Sequence, residues 1–229
     1  GEAEELVAKL LENGTPLYAE RKVPFVRELS AMVARTPSGE VRAWPVVESR
    51  QRDGICVEAI APAPGMSDEQ AEYCRELAMK IATELDVTGV LAVELFECAD
   101  SDKSVIVNEL AMRPHNTGHW TQNGCVTSQF EQHLRAVLDW PLGSVETTAP
   151  VTVMVNTLGA ETEPEEPMEE RVKDVMRHFP DAKVHLYGKG HRPGRKMGHV
   201  NVTGTDVDTV LERATAAADI IVNGTKAAK

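Results

Sequence analysis

Alternating apolar and polar positions predict a sheet of short strands combined with amphipathic helices. One alternating run covers 27–34 and a second covers 41–48 after a turn, so we predict an antiparallel hairpin over 25–48. Ser67 is expected to cap a helix, with Gln70 as its capping-box partner. Further strands are predicted at 55–60, 89–96, 105–110, 151–156, 182–187 and 199–203, with an acidic turn at 98–103. Helices are predicted at 2–12, 67–85, 128–138, 171–178 and 206–223.

The composition indicates a folded chain with an aliphatic core. Hydrophobic residues make up 42% of the 229 residues, but aromatic residues only 4%. This length corresponds to one or two domains. The composition changes over 141–150, which suggests a domain boundary there.

Charge and cysteine usage narrow the class of protein. The chain has 24 Lys and Arg against 36 Asp and Glu, a net charge of −12, which argues against a nucleic-acid binder or a partner of anionic membranes. It has no apolar run long enough to span a membrane, and its first residues do not resemble a signal peptide. Four widely spaced cysteines are expected to be reduced and buried, rather than disulfide-bonded or zinc-bound. We therefore expect a cytoplasmic protein.

Two glutamates in apolar strands form the first candidate site. Glu94 lies in VLAVELF and Glu109 in VIVNELA, with Asn108 beside it. A glutamate in such a strand is costly to bury unless it is paired or binds a metal. Two carboxylates with phosphate oxygens suit Mg²⁺. The alternative is that both glutamates simply lie on the solvated side of their strands.

Two further clusters carry positive charge. The segment Arg113–Trp120 holds a guanidinium, two imidazoles and an amide, which suits a small oxyanion such as bicarbonate or phosphate. A zinc site through His115 and His119 is disfavoured, because Asn-Thr-Gly between them is a poor helix. The glycine-framed segment KGHRPGRK predicts an anionic ligand in so acidic a chain. Both segments could instead be plain polar surface loops.

The order of these clusters resembles a known family. The string NELAMRPHNTGHWTQNGCVTSQFEQHLRAVL, followed by PLG and later by YGKGHRPGRKMGHVN, closely resembles the carboxy-terminal part of the N5-carboxyaminoimidazole ribonucleotide synthetases, which are ATP-grasp enzymes. The resemblance runs in order over nearly the whole chain. Met112, where the family usually has proline, is a departure beside the site that carries no chemistry.

The resemblance implies a carboxylation reaction. ATP phosphorylates bicarbonate to carboxyphosphate, which delivers CO₂ to the exocyclic amine of aminoimidazole ribonucleotide, giving the carbamate, ADP and phosphate in purine biosynthesis. The implied cofactors are ATP and Mg²⁺, with Mn²⁺ as an alternative. The implied partners are these small molecules and a second copy of the chain, since the family is usually homodimeric.

The resemblance also assigns roles to individual residues. Gln51 stands where many members have a nucleotide-contacting histidine, and Glu28 matches the ribose-binding carboxylate. Glu94 and Glu109 match the metal ligands, with Asn108 at the phosphates. The residues that match the family's adenine-binding hinge are Glu20, Arg21, Lys22 and Val23. Those that resemble its bicarbonate or carboxyphosphate contacts are Arg113, His115 and Asn116. Those that match its binding site for the ribonucleotide phosphate are Lys189 and Arg195, with Lys196 assisting.

The expected architecture is α/β (α+β) with a mostly antiparallel sheet. Residues 1–140 are predicted to form the ATP-grasp portion, comprising the end of the lid, the hinge and the metal and phosphate site. Residues 141–229 are predicted to form a small carboxy-terminal domain, whose strands should bring Lys189 and Arg195 toward Arg113. Members of the family carry a preceding domain and a lid with a catalytic lysine, which are not recognisable here. We therefore expect a fragment that does not turn over alone.

Two alternatives stay open. Another ATP-grasp ligase or carboxylase, such as a formate-dependent ribonucleotide transformylase or a biotin carboxylase, would share the paired carboxylates but lack RPHNTGHWT joined to KGHRPGRKMGH. A non-catalytic anion-binding or assembly module would keep the fold and the basic loop without using Glu94 and Glu109.

Overall fold

A computed structural model describes residues 1–99 and 105–224, and within them the chain forms one continuous antiparallel sheet. The turn predicted at 98–103 lies mostly outside the described residues. The strands are β1 (Phe25–Arg35), β2 (Val41–Ala43), β3 (Val47–Arg52), β4 (Ile55–Ala61), β5 (Gly89–Cys98), β6 (Val105–Ala111), β7 (Val151–Leu158), β8 (Lys183–Leu186) and β9 (Lys196–Gly204). Their order is β6-β5-β1-β3-β4-β7-β9-β8, and β2 pairs with β1 at the side. The α/β prediction with an antiparallel sheet is confirmed.

The helices divide between the two faces of this sheet. They are α1 (Glu2–Glu12), α2 (Asp68–Glu84), α3 (Thr121–Gly124), α4 (Gln129–Val137), α5 (Met168–His178) and α6 (Val207–Asn223). Helix α2 packs on β1 and β5, and α6 packs on β7 and β9, with α5 against α6. Helices α3 and α4 contact the same sheet through β9 and β5.

Cross-strand register fixes which residues share a face, because directly opposed residues point the same way. Leu29 lies opposite Glu48, which lies opposite Ile60, and the row continues through Val153 to Val202. Except for Glu48, this row is apolar and buried, and it forms the face covered by α2, α5 and α6.

The next row along the strands forms the opposite, more polar face. It runs from Glu28 through Ser49, Ala59 and Met154 to Asn201. The segment that carries α3 and α4 covers part of this face. This face therefore combines polar side chains with apolar ones, and the candidate site residues lie on it.

Four local predictions were wrong or incomplete. The strand predicted over 41–48 is interrupted at 44–46, where Pro45 has no N–H for a ladder and Trp44 is fully buried, its indole donating to the carbonyl of Thr127. Ser67 caps α2 through the backbone N–H of Gln70 as predicted, but the Gln70 side chain binds Glu97 instead of completing the capping box.

The Arg113–Trp120 segment, expected to be a loop, contains a single 3₁₀ turn at Asn116–Gly118 and leads directly into α3. The predicted basic loop is shorter than expected, because Lys196 already belongs to β9. In the described residues no helix is long and apolar enough to cross a membrane. All four cysteines are free and buried, as predicted.

Candidate active site

The two strand glutamates face each other directly. Glu94 on β5 and Glu109 on β6 are register partners, as their neighbouring apolar strands predicted. A bulge follows on β6 and leaves Asn108 as the additional residue next to the pair. Glu109 is exposed, whereas the side chain of Glu94 is only 13% exposed. Both carboxylates therefore project to one side of the sheet, one at the surface and one deeper.

A buried chain of polar side chains holds His115 against Glu94. His115 Nε2 lies 3.0 Å from Glu94 Oε1, and its Nδ1 lies 2.9 Å from the hydroxyl of Thr117. Thr117 in turn donates to Ser30 on β1 at 2.8 Å. The amide of Gln129 accepts from the His115 N–H and donates to its carbonyl, both at 2.8 Å. The imidazole is therefore fixed in position at both ring nitrogens and by its own backbone.

A third carboxylate lies close to this pair. Gln51 Nε2 donates to Glu28 Oε2 at 2.6 Å. Burial, and next the negative charge of Glu94, raise the pKa of Glu28, while the Gln51 amide opposes the rise. Gln51 is therefore positioned to orient Glu28. The sequence did not predict this role, because Gln51 was noted only as standing where many family members have a nucleotide-contacting histidine. Among the described residues no group of three or more His, Cys, Asp or Glu could hold a metal ion together.

Cys56 occupies the middle of the polar face. Burial raises the pKa of its thiol, and nearby Ser49, Lys196 and Asn116 oppose that rise. The side chains of Ser49 and Asn116 act on the thiol through hydrogen bonds, and Lys196 acts through its charge. The positively charged Lys196 is therefore close to the same small region as Asn116, although 80 positions separate them in the chain.

Three imidazoles stack at the carboxy-terminal end of this face. The ring centres of His119 and His199 are 4.7 Å apart, and those of His185 and His199 are 4.5 Å apart. Tyr187 Oη lies 2.7 Å from His199 Nδ1, and Lys189 Nζ lies 5.3 Å from the centre of the Tyr187 ring. The stack thus connects the Arg113–Trp120 segment to the basic loop.

These imidazoles are held neutral. Burial, and next the charge of Lys196, lower the pKa of His119 to about 4. Burial lowers the pKa of His199 to about 2, and burial also lowers the pKa of His185. The stack therefore offers flat, uncharged rings beside the cationic loop.

The remaining predicted cations bond within their own segments. Arg113 Nη1 donates to the carbonyl of Pro114 at 3.3 Å, and Arg195 Nη1 donates to the carbonyl of Gly190 at 3.1 Å. Arg113 is exposed. Among the three residues predicted to bind the ribonucleotide phosphate, Lys196 lies close to Cys56 and His119. The predicted approach of Lys189 and Arg195 to Arg113 stays a prediction.

A shallow groove on the β5–β6 side contains the predicted hinge residues. The rings of Phe25 and Phe96 stack at 4.5 Å and form its apolar wall together with Ile106 and Val107. The groove is also lined by Glu20, Arg21, Lys22, Val23 and Asn108. It therefore lies directly beside Glu109.

Sequence reasoning missed four residues of this face: Ser49, Cys56, His185 and Tyr187. Each lies in a strand that the pattern predicted, or directly next to one, but its face depends on pairing with strands far away in the chain. The signal was the register itself, because His185 on β8 lies opposite His199 on β9, next to the basic loop.

Comparison with protein families agrees with this geometry. A model of the ATP-grasp domain matches residues 1–130, and a model of the phosphoribosylaminoimidazole carboxylase C-terminal domain matches residues 152–213. The chain belongs to the ATP-grasp family. The first match includes both strand glutamates, and the second includes the basic loop.

Curated relatives give the same assignment. This ATP-grasp chain is 57% identical over 220 residues to the N5-carboxyaminoimidazole ribonucleotide synthase of Corynebacterium ammoniagenes, covering 95% of this chain and 53% of the relative. It is 53% identical over 223 residues to the synthase of Mycobacterium tuberculosis, covering 97% of this chain and 52% of the relative. The chain therefore spans about half the length of the curated relatives it matches.

Solved structures share the fold. The synthetase from Thermus thermophilus matches with a TM-score of 0.80 at 39% identity, over 96% of this chain and 57% of that one. The Aspergillus clavatus synthase in complex with ADP and 5-aminoimidazole ribonucleotide also matches with a TM-score of 0.80, at 36% identity, over 95% of this chain and 57% of that one.

Proposed function

We propose that this chain takes part in the ATP-dependent carboxylation of 5-aminoimidazole ribonucleotide by bicarbonate, through carboxyphosphate, to N5-carboxyaminoimidazole ribonucleotide, ADP and phosphate. The observation that carries the proposal is the Glu94–Glu109 pair at one end of a polar sheet face, with Lys196 further along that face. The similarity to synthases at up to 57% identity supports it.

The proposed nucleotide site begins at the groove beside Glu109. Backbone groups of 20–23 would bind adenine against the stacked Phe25 and Phe96 rings. Glu28, oriented by Gln51, would bind the ribose hydroxyls. The phosphates would then lie over Asn108 and the glutamate pair. This placement matches the order in which the groove and the carboxylates follow each other along β5 and β6.

The donor set fits a divalent cation. Two carboxylates from paired strands supply hard oxygen ligands, and Mg²⁺ prefers few carboxylates combined with phosphate oxygens and water. Glu94 and Glu109 would hold Mg²⁺, or Mn²⁺ in its place. When bound, the cation would neutralise charge on the nucleotide phosphates.

Side chains of the Arg113–Trp120 segment would bind bicarbonate and the transferring group. Phosphoryl transfer depends on positioning and on stabilising charge. Arg113 and Asn116 would bind bicarbonate and carboxyphosphate, and His115, whose two ring nitrogens are held by Glu94 and Thr117, would fix the position of Glu94 beside them. The side-chain amide of Asn116 is a hydrogen-bond donor of the kind that an oxyanion accepts from.

The basic loop would hold the ribonucleotide. Lys189 and Arg195 would bind its phosphate, with Lys196 assisting, while the neutral imidazole stack lies next to them. Carboxyphosphate hydrolyses readily, so the site must exclude water during transfer. We further propose the domain division near residue 140, a cytoplasmic location and a homodimeric assembly.

Replacing Glu109 by Gln tests the function in the natural protein that carries this sequence. ADP formation that depends on both bicarbonate and aminoimidazole ribonucleotide should fall by about two to three orders of magnitude, because removing a charged group that stabilises transferring phosphate costs several kcal/mol. Glu76→Gln, an exposed carboxylate on α2, is the matched control and should retain wild-type rates. An unchanged rate in Glu109→Gln would favour the non-catalytic anion-binding module.

A further inference from the structure

The side chain of Gln129 determines which ring nitrogen of His119 carries the proton. Its amide oxygen accepts from the backbone N–H of His115 and its amide nitrogen donates to the His115 carbonyl, both at 2.8 Å, so the backbone sets the orientation of the amide. The same amide nitrogen lies 3.0 Å from Nδ1 of His119. Because an amide nitrogen only donates, Nδ1 must accept, and the proton of the neutral His119 ring lies on Nε2.

The Nε2–H of His119 is a donor that a ligand can reach. Within residues 1–99 and 105–224 it has no hydrogen-bond partner, and it keeps some solvent-accessible surface on a residue that is partly exposed. Nε2 of His199, in the same stack, is by contrast closed off from solvent. Of these two rings, His119 is therefore the one that can present a hydrogen bond to a bound molecule.

The surroundings of the His119 ring fix the direction of this N–H. The ring stacks with His199 at 4.7 Å between centres and with Phe130 at 5.7 Å, with interplanar angles of 4° and 24°. Gln129 holds Nδ1, and Asn201 donates to the His119 carbonyl at 3.0 Å. A donor that is already in place loses little conformational freedom when it binds, which is the property expected of a group that positions a reactant.

His119 lies next to residues proposed for both reactants. Its backbone N–H donates at 3.2 Å to the carbonyl of Asn116, which is proposed to bind carboxyphosphate. The charge of Lys196, proposed to assist at the ribonucleotide phosphate, is close enough to the ring to lower the pKa of His119. The free N–H is therefore near the place where the carboxyl group would pass from one reactant to the other.

We propose that His119 binds the carboxyl group during its transfer, by donating a hydrogen bond from Nε2 to one of the carboxyl oxygens. This inference rests on the proposed carboxylation. In the transfer, the carboxyl carbon gains a bond to the exocyclic nitrogen and loses its bond to the bridging oxygen, which leaves with phosphate and the electron pair of that bond. One amine proton goes to the departing phosphate, and His119 neither gains nor loses a proton.

The neutral state of the ring suits this role. A cationic imidazole beside the attacking amine would be an acid that could protonate the amine and remove the nucleophile. A neutral ring with its proton held on Nε2 donates to the carboxyl oxygen without this side reaction. The ribonucleotide phosphate has its own proposed cations on the basic loop, so the assigned acceptor is the carboxyl oxygen.

Replacing His119 by Phe in the natural protein that carries this sequence tests the proposal. Phenylalanine keeps a ring in the stack but removes the donor. Formation of N5-carboxyaminoimidazole ribonucleotide should fall by about 10- to 100-fold, the range for one hydrogen bond to a charged group. Bicarbonate-dependent ADP formation should fall much less, so the ratio of ADP to carboxylated product should rise as unused carboxyphosphate is hydrolysed. A ratio that stays at the wild-type value would overturn the proposal.

Two further variants separate the donor from the ring stack. Phe130→Leu removes a ring that stacks on His119 but leaves the N–H, so the ratio should stay that of the wild type. His119→Gln supplies a neutral N–H donor and should recover much of the coupling lost in His119→Phe. An equal rise in Phe130→Leu, or no recovery in His119→Gln, would contradict the proposal. A raised KM for aminoimidazole ribonucleotide with an unchanged ratio would assign His119 to the ribonucleotide and also overturn it.

The position of the proton can be measured without any substitution. In ¹⁵N-histidine NMR of the same protein, His119 is identified by its contact with the Phe130 ring and should carry its proton on Nε2 at neutral pH. A proton on Nδ1 would refute the proposal whatever the kinetics. A wild-type protein that forms no ADP in response to bicarbonate and aminoimidazole ribonucleotide would instead refute the proposed function. An active wild type with unchanged coupling in His119→Phe would refute this inference alone.

Discussion

His115 and Glu94 meet at 3.0 Å between Nε2 and Oε1, and the carboxylate belongs to the strand pair proposed to bind the cation. The histidine does not act alone in this contact. Its other ring nitrogen is held by Thr117, which donates to Ser30 on β1. The position of the carboxylate thus depends on a hydroxyl that touches no proposed substrate.

Replacing Thr117 by Val tests this dependence. Valine keeps the shape but removes the hydroxyl, leaving His115 Nδ1 and Ser30 Oγ without this partner in a fully buried site. We expect the free energy of unfolding, measured by urea denaturation, to fall by about 1–3 kcal/mol. Thr117→Ser retains the hydroxyl and should lose less than half as much. A loss in Thr117→Val no larger than that in Thr117→Ser would show that the hydroxyl contributes no more to stability than the methyl group that serine lacks.

The imidazole stack predicts a particular pH dependence of stability. The pKa of His119 is about 4 and that of His199 about 2 in the folded chain, against an ordinary value of 6.5. Between pH 6.5 and 4 the unfolded chain therefore binds protons that the folded chain does not. The free energy of unfolding falls as the pH is lowered through this range, by up to about 1.4 kcal/mol per pH unit for each ring.

His119→Phe should reduce that slope by about one proton, because it keeps a ring in the stack but removes one titrating group. The measurement is urea denaturation at several pH values spanning the interval between the folded and the ordinary pKa of His119. Phe130→Leu removes the ring that stacks on His119 at 5.7 Å and no titrating group, so it should lower stability without altering the slope. A wild-type slope in His119→Phe would contradict the lowered pKa.

Gly198 predicts a steric requirement at the pairing of β8 and β9. A Cβ at this position would overlap the backbone carbonyl of His185, which cannot swing aside as a flexible side chain can. We expect Gly198→Ala to lower the melting temperature by several degrees and to disturb the His185–His199 stack. Gly190→Ala is the matched control, since its Cβ would meet nothing within 4 Å. Similar melting temperatures for both variants would refute the close approach.

Arg27 holds together two acidic residues from different strands. It forms ion pairs with Glu48 on β3 and Glu97 on β5, and Gln70 on α2 also donates to Glu97. Burial favours the neutral acid at Glu97, but hydrogen bonds from Arg27 and Gln70 outweigh it and lower the pKa of Glu97. Arg27→Met should therefore reduce the free energy of unfolding at neutral pH by about 2 kcal/mol.

A double-mutant cycle with Glu97→Gln checks the Arg27 prediction. If the contact carries the effect, the two losses should not add, and the coupling should exceed about 0.5 kcal/mol. The contribution of Glu97 is present above its ordinary pKa and is lost as the pH falls through the lowered folded value. Additive losses would show that Arg27 acts by packing alone.

Local patterns predicted most of the strands and helices, because each depends on periodicity within a short segment. They also predicted that Glu94 and Glu109 lie on neighbouring strands, since an acidic residue interrupts each of two apolar runs. The interruption at Pro45 could have been read from the missing N–H. The partnership of Gln70 with Glu97 could not, because a capping box is a local rule and Glu97 arrives from a different strand.

The residues in the middle of the polar face were harder to predict than the glutamate pair and the basic loop at its two ends. Cys56 and His185 look like ordinary strand residues, and their relation to Lys196 and His199 depends on pairings between β4, β7, β9 and β8. The pairing of β4 with β7 joins positions about 100 residues apart, and no short pattern encodes it. The residues that sequence reasoning missed are those whose surroundings come from the other half of the chain.

The ladder between β4 and β7 has a mechanical consequence. Four consecutive register pairs, from Glu58–Val155 to Ala61–Thr152, join the strands that bear the acidic pair to those that bear the cationic loop. The two halves of the chain cannot rotate toward each other about a hinge between β4 and β7 without breaking these hydrogen bonds. A motion that shields a reactant from solvent must therefore come from segments outside the sheet. The sheet itself keeps a fixed distance between the acidic pair and the cationic loop.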